Sequence, residues 1–135
     1  MVSVAARELH DREVVFVGIG LPNLACNLAR ATHAPELVLI YESGAVGAAP
    51  ERLPVSIGDP TLVTRAQSVM PMMDLFSFVL QGGHIDVGFL EGVEFVAVDD
   101  AVGIGVDLRI AVFRRHLVRE FGTVQHAVAI LVEFV

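Results

Sequence analysis

Val14-Val15-Phe16-Val17-Gly18-Ile19-Gly20-Leu21-Pro22 is the stretch that decides the fold class. Its four apolar residues are too few for a helix and enough for a buried strand, and they run straight into a glycine-bounded turn. Pro22 suits the first turn of a helix, where a missing N–H has no partner to lose. Leu24, Ala25, Leu28 and Ala31 then recur at helical spacing. A strand, a tight turn and a helix in direct succession are the opening of a βα unit.

The same reading extends in both directions. Upstream, residues 2–11 place Val4, Ala5 and Leu9 at helical intervals, and Asp11-Arg12 ends that pattern. Downstream, residues 37–41 form a second short apolar run between Ala34-Pro35 and Glu42-Ser43-Gly44, as expected of a buried parallel strand. Residues 44–61 carry three prolines and three glycines and predict an irregular connection suited to an active-site loop. Residues 70–80 predict a well-buried helix stopped by Gly82-Gly83, and residues 85–90 a third strand. Further on, residues 93–98 and 104–113 read as strands around a turn at Asp99-Asp100, residues 114–120 as a helix and residues 127–135 as a last strand. Gly-Ile-Gly occurs at 18–20 and again at 103–105, but the flanking residues do not match and no duplication follows.

The alternation predicts an α/β protein built as one domain over 1–135, with an open, mostly parallel sheet and helices on both faces. Ligands of such sheets bind beyond the carboxyl ends of the strands, where Gly18 and Glu42 both fall.

Composition narrows the chemistry. The 135 residues are 54% hydrophobic and 19% charged, which excludes intrinsic disorder and leaves apolar surface for a partner subunit. The net charge of −7 is spread along the chain, so nucleic acid is not an expected partner. All nine basic residues are arginines. Schiff-base chemistry and a P-loop are therefore excluded, and a nucleophile must come from Ser, Thr, Cys, Asp or Glu. Cys26, the single cysteine, lies inside an apolar helical pattern and predicts a buried thiol in a reducing cytoplasm. The early charges at Arg7, Glu8, Asp11, Arg12 and Glu13 are unlike a signal peptide, and no apolar run predicts a membrane span.

Three features stand in order: Gly18-Ile19-Gly20-Leu21-Pro22 after the first strand, Glu42-Ser43-Gly44 after the second, and Gly82-Gly83-His84-Ile85-Asp86 before the third. Together with Pro54-Val55-Ser56-Ile57-Gly58-Asp59, this combination resembles the β-type subunits of class I CoA-transferases, particularly the glutaconate CoA-transferase branch, from about residue 4 to residue 90. The resemblance implies the CoA-transferase/NagB-like fold and an enzyme that moves CoA between an acyl-CoA and a carboxylic acid. It implies that Glu42 is the nucleophile, passing through a glutamyl-CoA thioester, with Gly18, Gly20, Ser43 and Gly44 in substrate binding, CoA binding or the oxyanion site. It also implies an α-type partner subunit, acyl-CoA and carboxylic acid as substrates, no bound cofactor and no metal.

Family subunits continue beyond this region with Gly-Asn-rich and Gly-Ser-Gly-Gly-Ala segments, whereas here Glu91-Gly92-Val93-Glu94-Phe95 begins a stretch that does not align with them. That departure keeps two alternatives open: an acyl-CoA hydrolase subunit of the same fold, and a truncated, frameshifted or recombined remnant that only packs against a partner.

The residues also admit plainer roles. Glu42 alone reads as a solvated acid capping the next turn. Ser43 lacks the Gly-x-Ser-x-Gly frame of a hydrolase elbow and shapes the turn instead. Asn23 stands where a dinucleotide fingerprint needs its third glycine, which argues against nicotinamide or flavin binding. His84 reads as a structural hydrogen-bonding residue, and Met70, Met72 and Met73 as core or subunit contact.

Overall fold

The computed structural model describes residues 2–97, 104–114 and 129–131. Helix α1 (Val2–Arg7) leads to strand β1 (Val14–Val17), helix α2 (Leu21–Thr32) and strand β2 (Val38–Tyr41). Two short strands follow, β3 (Ala45–Val46) and β4 (Ser68–Val69), separated by a 3-10 turn at Pro60–Val63. Helix α3 (Met72–Asp74) continues through Leu75–Leu80 with π-type hydrogen bonding, and Gly83 at φ 72° closes it. Strands β5 (Val87–Ala97), β6 (Ile104–Arg114) and β7 (Ala129–Leu131) complete the described chain.

The strands form one open α/β sheet in the order β4-β3-β2-β1-β5-β6-β7. Its centre is parallel: β1 pairs with β2 on one side and β5 on the other, with Val17 opposite both Tyr41 and Phe89. These are the strands predicted from the apolar runs at 14–17, 37–41 and 85–90. Both flanks are antiparallel, and β3 and β4 have no counterpart among the strands expected from sequence. Two-residue strands have no hydrophobic period to read; the sheet edge recruits them through backbone pairing.

Beyond Phe89 the strand predicted at 85–90 does not stop. It continues to Ala97 as one strand that takes in residues 93–97 of the run expected at 93–98, whose last residue lies outside the described ones, and β6 folds back on it from Ile104 to Arg114. The expected turn at Asp99-Asp100 and the helix after Arg114 lie outside the described residues. So does most of the predicted final strand, of which Ala129–Leu131 pairs with β6.

Strand alternation sends side chains to both faces of the sheet. On one face Val15, Val17, Leu39, Tyr41, Val87 and Phe89 pack against Ala5, Ala6 and Leu9 of the N-terminal segment and Ala25, Cys26 and Ala29 of α2. On the other, Phe16 and Ile40 meet Leu75, with Phe76 and Val79 packed against them; the rings of Phe16 and Phe76 sit edge to face at 5.6 Å. Each large side chain buried this way contributes about 1.5–3 kcal/mol. Helices on both faces match the prediction.

One detail of α2 corrects the sequence reading. Of the helical stripe Leu24, Ala25, Leu28, Ala31 only Ala25 packs: Leu24 and Leu28 are each 37% exposed, and Ala31 is exposed as well. The buried residues are Pro22, Asn23, Ala25, Cys26 and Ala29. Small side chains let α2 lie close to the sheet and to the alanines of α1, and two leucines could not fit that gap. The prediction for residues 70–80 needs a similar adjustment. Only Leu75 in that helix is buried, while Met73 and Phe78 are largely exposed.

Candidate active site

The carboxyl ends of β1 and β2 lie side by side. Because Val17 is in register with Tyr41, the residues that follow, Gly18 and Glu42, leave the sheet at the same level on adjacent strands, about 4.8 Å apart in the pairing direction. Glu42 and Ser43 occupy the corner of a tight turn that reverses β2 into β3. The turn is closed by the Gly44 N–H donating to the Tyr41 carbonyl at 2.9 Å. Glu42 is half-buried at this corner. Among the described residues nothing hydrogen-bonds or ion-pairs with its carboxylate.

The surrounding glycines separate into different duties. Gly20 takes φ 85°, ψ −139° as the residue before α2, a conformation essentially restricted to glycine, and this aims the helix back over the sheet. Gly44 is buried at φ 97°, and a Cβ there would lie 1.9 Å from the Met70 carbonyl oxygen, so β4 can approach only because no side chain intervenes. Gly18 is different. A Cβ added there would meet Leu90 Cδ2 at an ordinary 3.4 Å, so packing within the chain does not demand glycine at this position.

The N–H groups divide in the same way. Gly18 donates to the Phe89 carbonyl at 2.9 Å and Gly44 to Tyr41, so both are committed inside the fold. Those of Gly20 and Ser43 join no backbone hydrogen bond among the described residues. The Ser43 hydroxyl oxygen is buried and has no partner among them.

Three residues that support this region, Tyr41, Asn23 and Asp59, make contacts that the sequence did not reveal. The Tyr41 hydroxyl donates to Asn23 Oδ1 at 2.9 Å inside the core, joining the end of β2 to the first turn of α2. Burial holds the Tyr41 phenol above its usual range, with the neighbouring Cys26 adding to this and Arg30 opposing it. The same burial pushes the Cys26 thiol up to about 12, as expected of an inert core cysteine. The third support is Asp59, which organises the connection between β3 and β4. Its buried carboxylate takes both arms of the Arg52 guanidinium at 2.8 Å and the N–H groups of Val55 and Thr61 at 3.0 Å. Arg52 and these two amides hold the Asp59 carboxyl well below the usual carboxylate range. A polar residue at 23 in a small-residue helix, directly after Pro22, and the chain's one tyrosine at a strand end were the available signals.

The third motif is not part of this site. Asp86 bonds Val14 at the opposite, amino-terminal end of the parallel strands, through Asp86 N–H to the Val14 carbonyl and Val14 N–H to the carboxylate, each at 2.9 Å. His84 is exposed beside it, and its N–H completes the π-type turn by donating to the Val79 carbonyl. That motif registers β5 against β1.

The structure thus defines an open α/β sheet with a glycine turn and a glutamate side by side at the carboxyl edge of its parallel strands. The chain belongs to the coenzyme A transferase family, whose model, Coenzyme A transferase, matches residues 1–121. Over 90 residues, 67% of this chain and 35% of the relative, it is 57% identical to a 3-oxoadipate CoA-transferase subunit of Pseudomonas knackmussii. A glutaconate CoA-transferase subunit of Acidaminococcus fermentans is 30% identical over 73 residues, covering 54% of this chain and 27% of that protein. The crystal structure of glutaconate coenzyme A-transferase from the same organism superposes with a TM-score of 0.57 at 26% identity, over 62% of this chain and 32% of that one. That of the decarboxylase AibA/AibB superposes with a TM-score of 0.54 at 32% identity, over 63% of this chain and 36% of that one. The chain thus spans about a third of the length of the relatives it matches. No helix among the described residues is long and apolar enough to cross a membrane.

Proposed function

We propose that this chain supplies the nucleophile-bearing part of a CoA-transferase, with Glu42 as the acyl-accepting carboxylate and an α-type subunit as partner in the cytoplasm. The observation that carries this reading is the placement of Glu42 at the corner of the β2–β3 turn, beside Gly18 at the carboxyl edge of the parallel strands. A carboxylate there is partly accessible and is carried on a turn whose backbone is held by the Gly44–Tyr41 hydrogen bond. Gly18 needs no glycine for internal packing, which supports a role in letting a ligand approach the backbone closely.

The chemistry is balanced without a cofactor. A Glu42 oxygen attacks the thioester carbonyl carbon, the C–S bond breaks, and CoA thiolate leaves an acyl-glutamyl anhydride. The thiolate then attacks the glutamyl carbonyl carbon and expels the donor acid as its carboxylate, leaving a glutamyl-CoA thioester. The acceptor carboxylate attacks that thioester and releases CoA thiolate, which takes the new acyl group and returns Glu42 to its starting form. Covalent division of one difficult exchange into easier ones is the logic of nucleophilic catalysis.

Each addition places negative charge on a carbonyl oxygen. The uncommitted N–H groups of Gly20 and Ser43 and the unpartnered Ser43 hydroxyl are the donors best suited to receive it, each worth about 3 kcal/mol in acyl transfer. Gly18 and Gly44, with their N–H groups already bonded, contribute shape. The 57% identity to a 3-oxoadipate CoA-transferase subunit supports an oxo-dicarboxylic acid as acceptor.

The test is intact-peptide mass spectrometry on the chain combined with an α-type subunit and an acyl-CoA donor. The expected result is a CoA adduct on the peptide containing Glu42, absent from the Glu42→Ala protein together with turnover. A Glu42→Ala protein that exchanges CoA normally ends the proposal. Because a decarboxylase shares the fold, free acid, carbon dioxide and new acyl-CoA are measured together; release of free acid alone favours the hydrolase reading.

A further inference from the structure

We propose that Tyr41 and Asn23 form a positioning pair that fixes the direction of Glu42, an inference that rests on the catalytic reading of Glu42. Tyr41 is bonded on both sides of this problem. Its carbonyl accepts the Gly44 N–H that closes the turn bearing Glu42, and its hydroxyl donates to Asn23 Oδ1 on α2. Asn23 lies three residues after Gly20, so the pair ties the glutamate's turn directly to the helix that begins at the glycine turn. The two halves of the site, carried on the paired strands β1 and β2, are thereby joined a second time through a buried hydrogen bond from the residue that precedes Glu42.

The arrangement is unfavourable for packing alone. Asn23 is completely buried in a cluster of alanines, valines and leucines. Its Oδ1 accepts from both Tyr41 and Asn27, the latter at 3.3 Å, while its Nδ2 has no partner among the described residues. An orphaned buried donor destabilises a core, and an apolar pair, with phenylalanine at 41 and an apolar residue at 23, would avoid it. Such a group is retained where it specifies a geometry, and here the geometry is that of the residue next to Glu42.

The deciding experiment compares wild type with Tyr41→Phe and Asn23→Ala in the chain assembled with an α-type subunit. Tyr41→Phe keeps the ring and removes only the hydroxyl, so the core stays filled. The expected result is a rate of glutamyl-CoA adduct formation lower by roughly ten- to a hundredfold with CoA affinity unchanged, the signature of a misaimed nucleophile. The double variant is expected to lose no more than the worse single one. Amide hydrogen exchange at Ser43 and Gly44 should quicken in Tyr41→Phe while amides of β1 and β5 keep their protection. Wild-type adduct with an unslowed Tyr41→Phe protein, or a uniform rise in exchange across the sheet, overturns the positioning pair and leaves the role of Glu42 standing. No adduct in wild type overturns both.

Discussion

Replacing Gly44 by alanine tests whether the turn bearing Glu42 is held as described. Alanine would have to adopt φ 97°, and its Cβ would stand 1.9 Å from the Met70 carbonyl oxygen and 3.0 Å from the carbonyl carbon. Relief to an ordinary 3.4 Å contact means withdrawing β4 by roughly 1.5 Å, a distance that breaks the 3.0 Å hydrogen bond from Met70 N–H to the Gly44 carbonyl. The conformational penalty is about 1–2 kcal/mol. The lost hydrogen bond adds about 1 kcal/mol. The expected destabilisation is therefore roughly 2–3 kcal/mol, read as a fall of about 1–2 M in the urea unfolding midpoint of the chain at an unchanged slope. Gly58→Ala is the control: nothing lies within 4 Å of its added Cβ, and its effect should stay within about 0.5 kcal/mol. If Gly44→Ala is as mild as Gly58→Ala, the approach of β4 to this turn is not as close as the structure has it, and the argument for a rigid Glu42 corner fails.

Two other features make testable demands. The Asp59 carboxyl is held below its usual range in the fold, so its stabilising effect is full above the unfolded-state value of about 4 and fades as pH falls below that value toward the depressed folded one. The gap in melting temperature between wild type and Asp59→Asn should thus be wide at pH 7 and narrower at pH 3; equal gaps would show that the Arg52 contact does not govern the loop. Cys26, with its thiol pushed to about 12, should resist a thiol-labelling dye at pH 8 until denaturant opens the core, whereas labelling at the rate of a free cysteine would contradict its burial.

The placement of the candidate site residues was legible where its signals are local. A short apolar run that ends in glycine states where a parallel strand stops, and two such runs put Gly18 and Glu42 at the same edge on sequence grounds alone. The His84 motif carried less than its place in the pattern suggested, since it lies at the amino-terminal end of the strands and serves the pairing of β1 with β5. Ser43 gained a feature that no motif reveals, a buried hydroxyl without a partner among the described residues.

From its order of residues alone the chain determined the βα alternation, the parallel centre of the sheet, the strand end at Glu42 and the buried state of Cys26, because periodicity and glycine or proline punctuation act over a few neighbouring residues. Tertiary structure alone decided that α2 turns Asn23 inward and Leu24 and Leu28 outward, that Tyr41 meets Asn23, that Met70 passes over Gly44, and that β5 runs on to Ala97 against β6. Those outcomes depend on which surfaces come within a few ångströms after the chain has closed on itself. A helix with apolar residues on more than one side offers two candidate faces, and only the space left between the sheet and α1 selects the one lined with small residues.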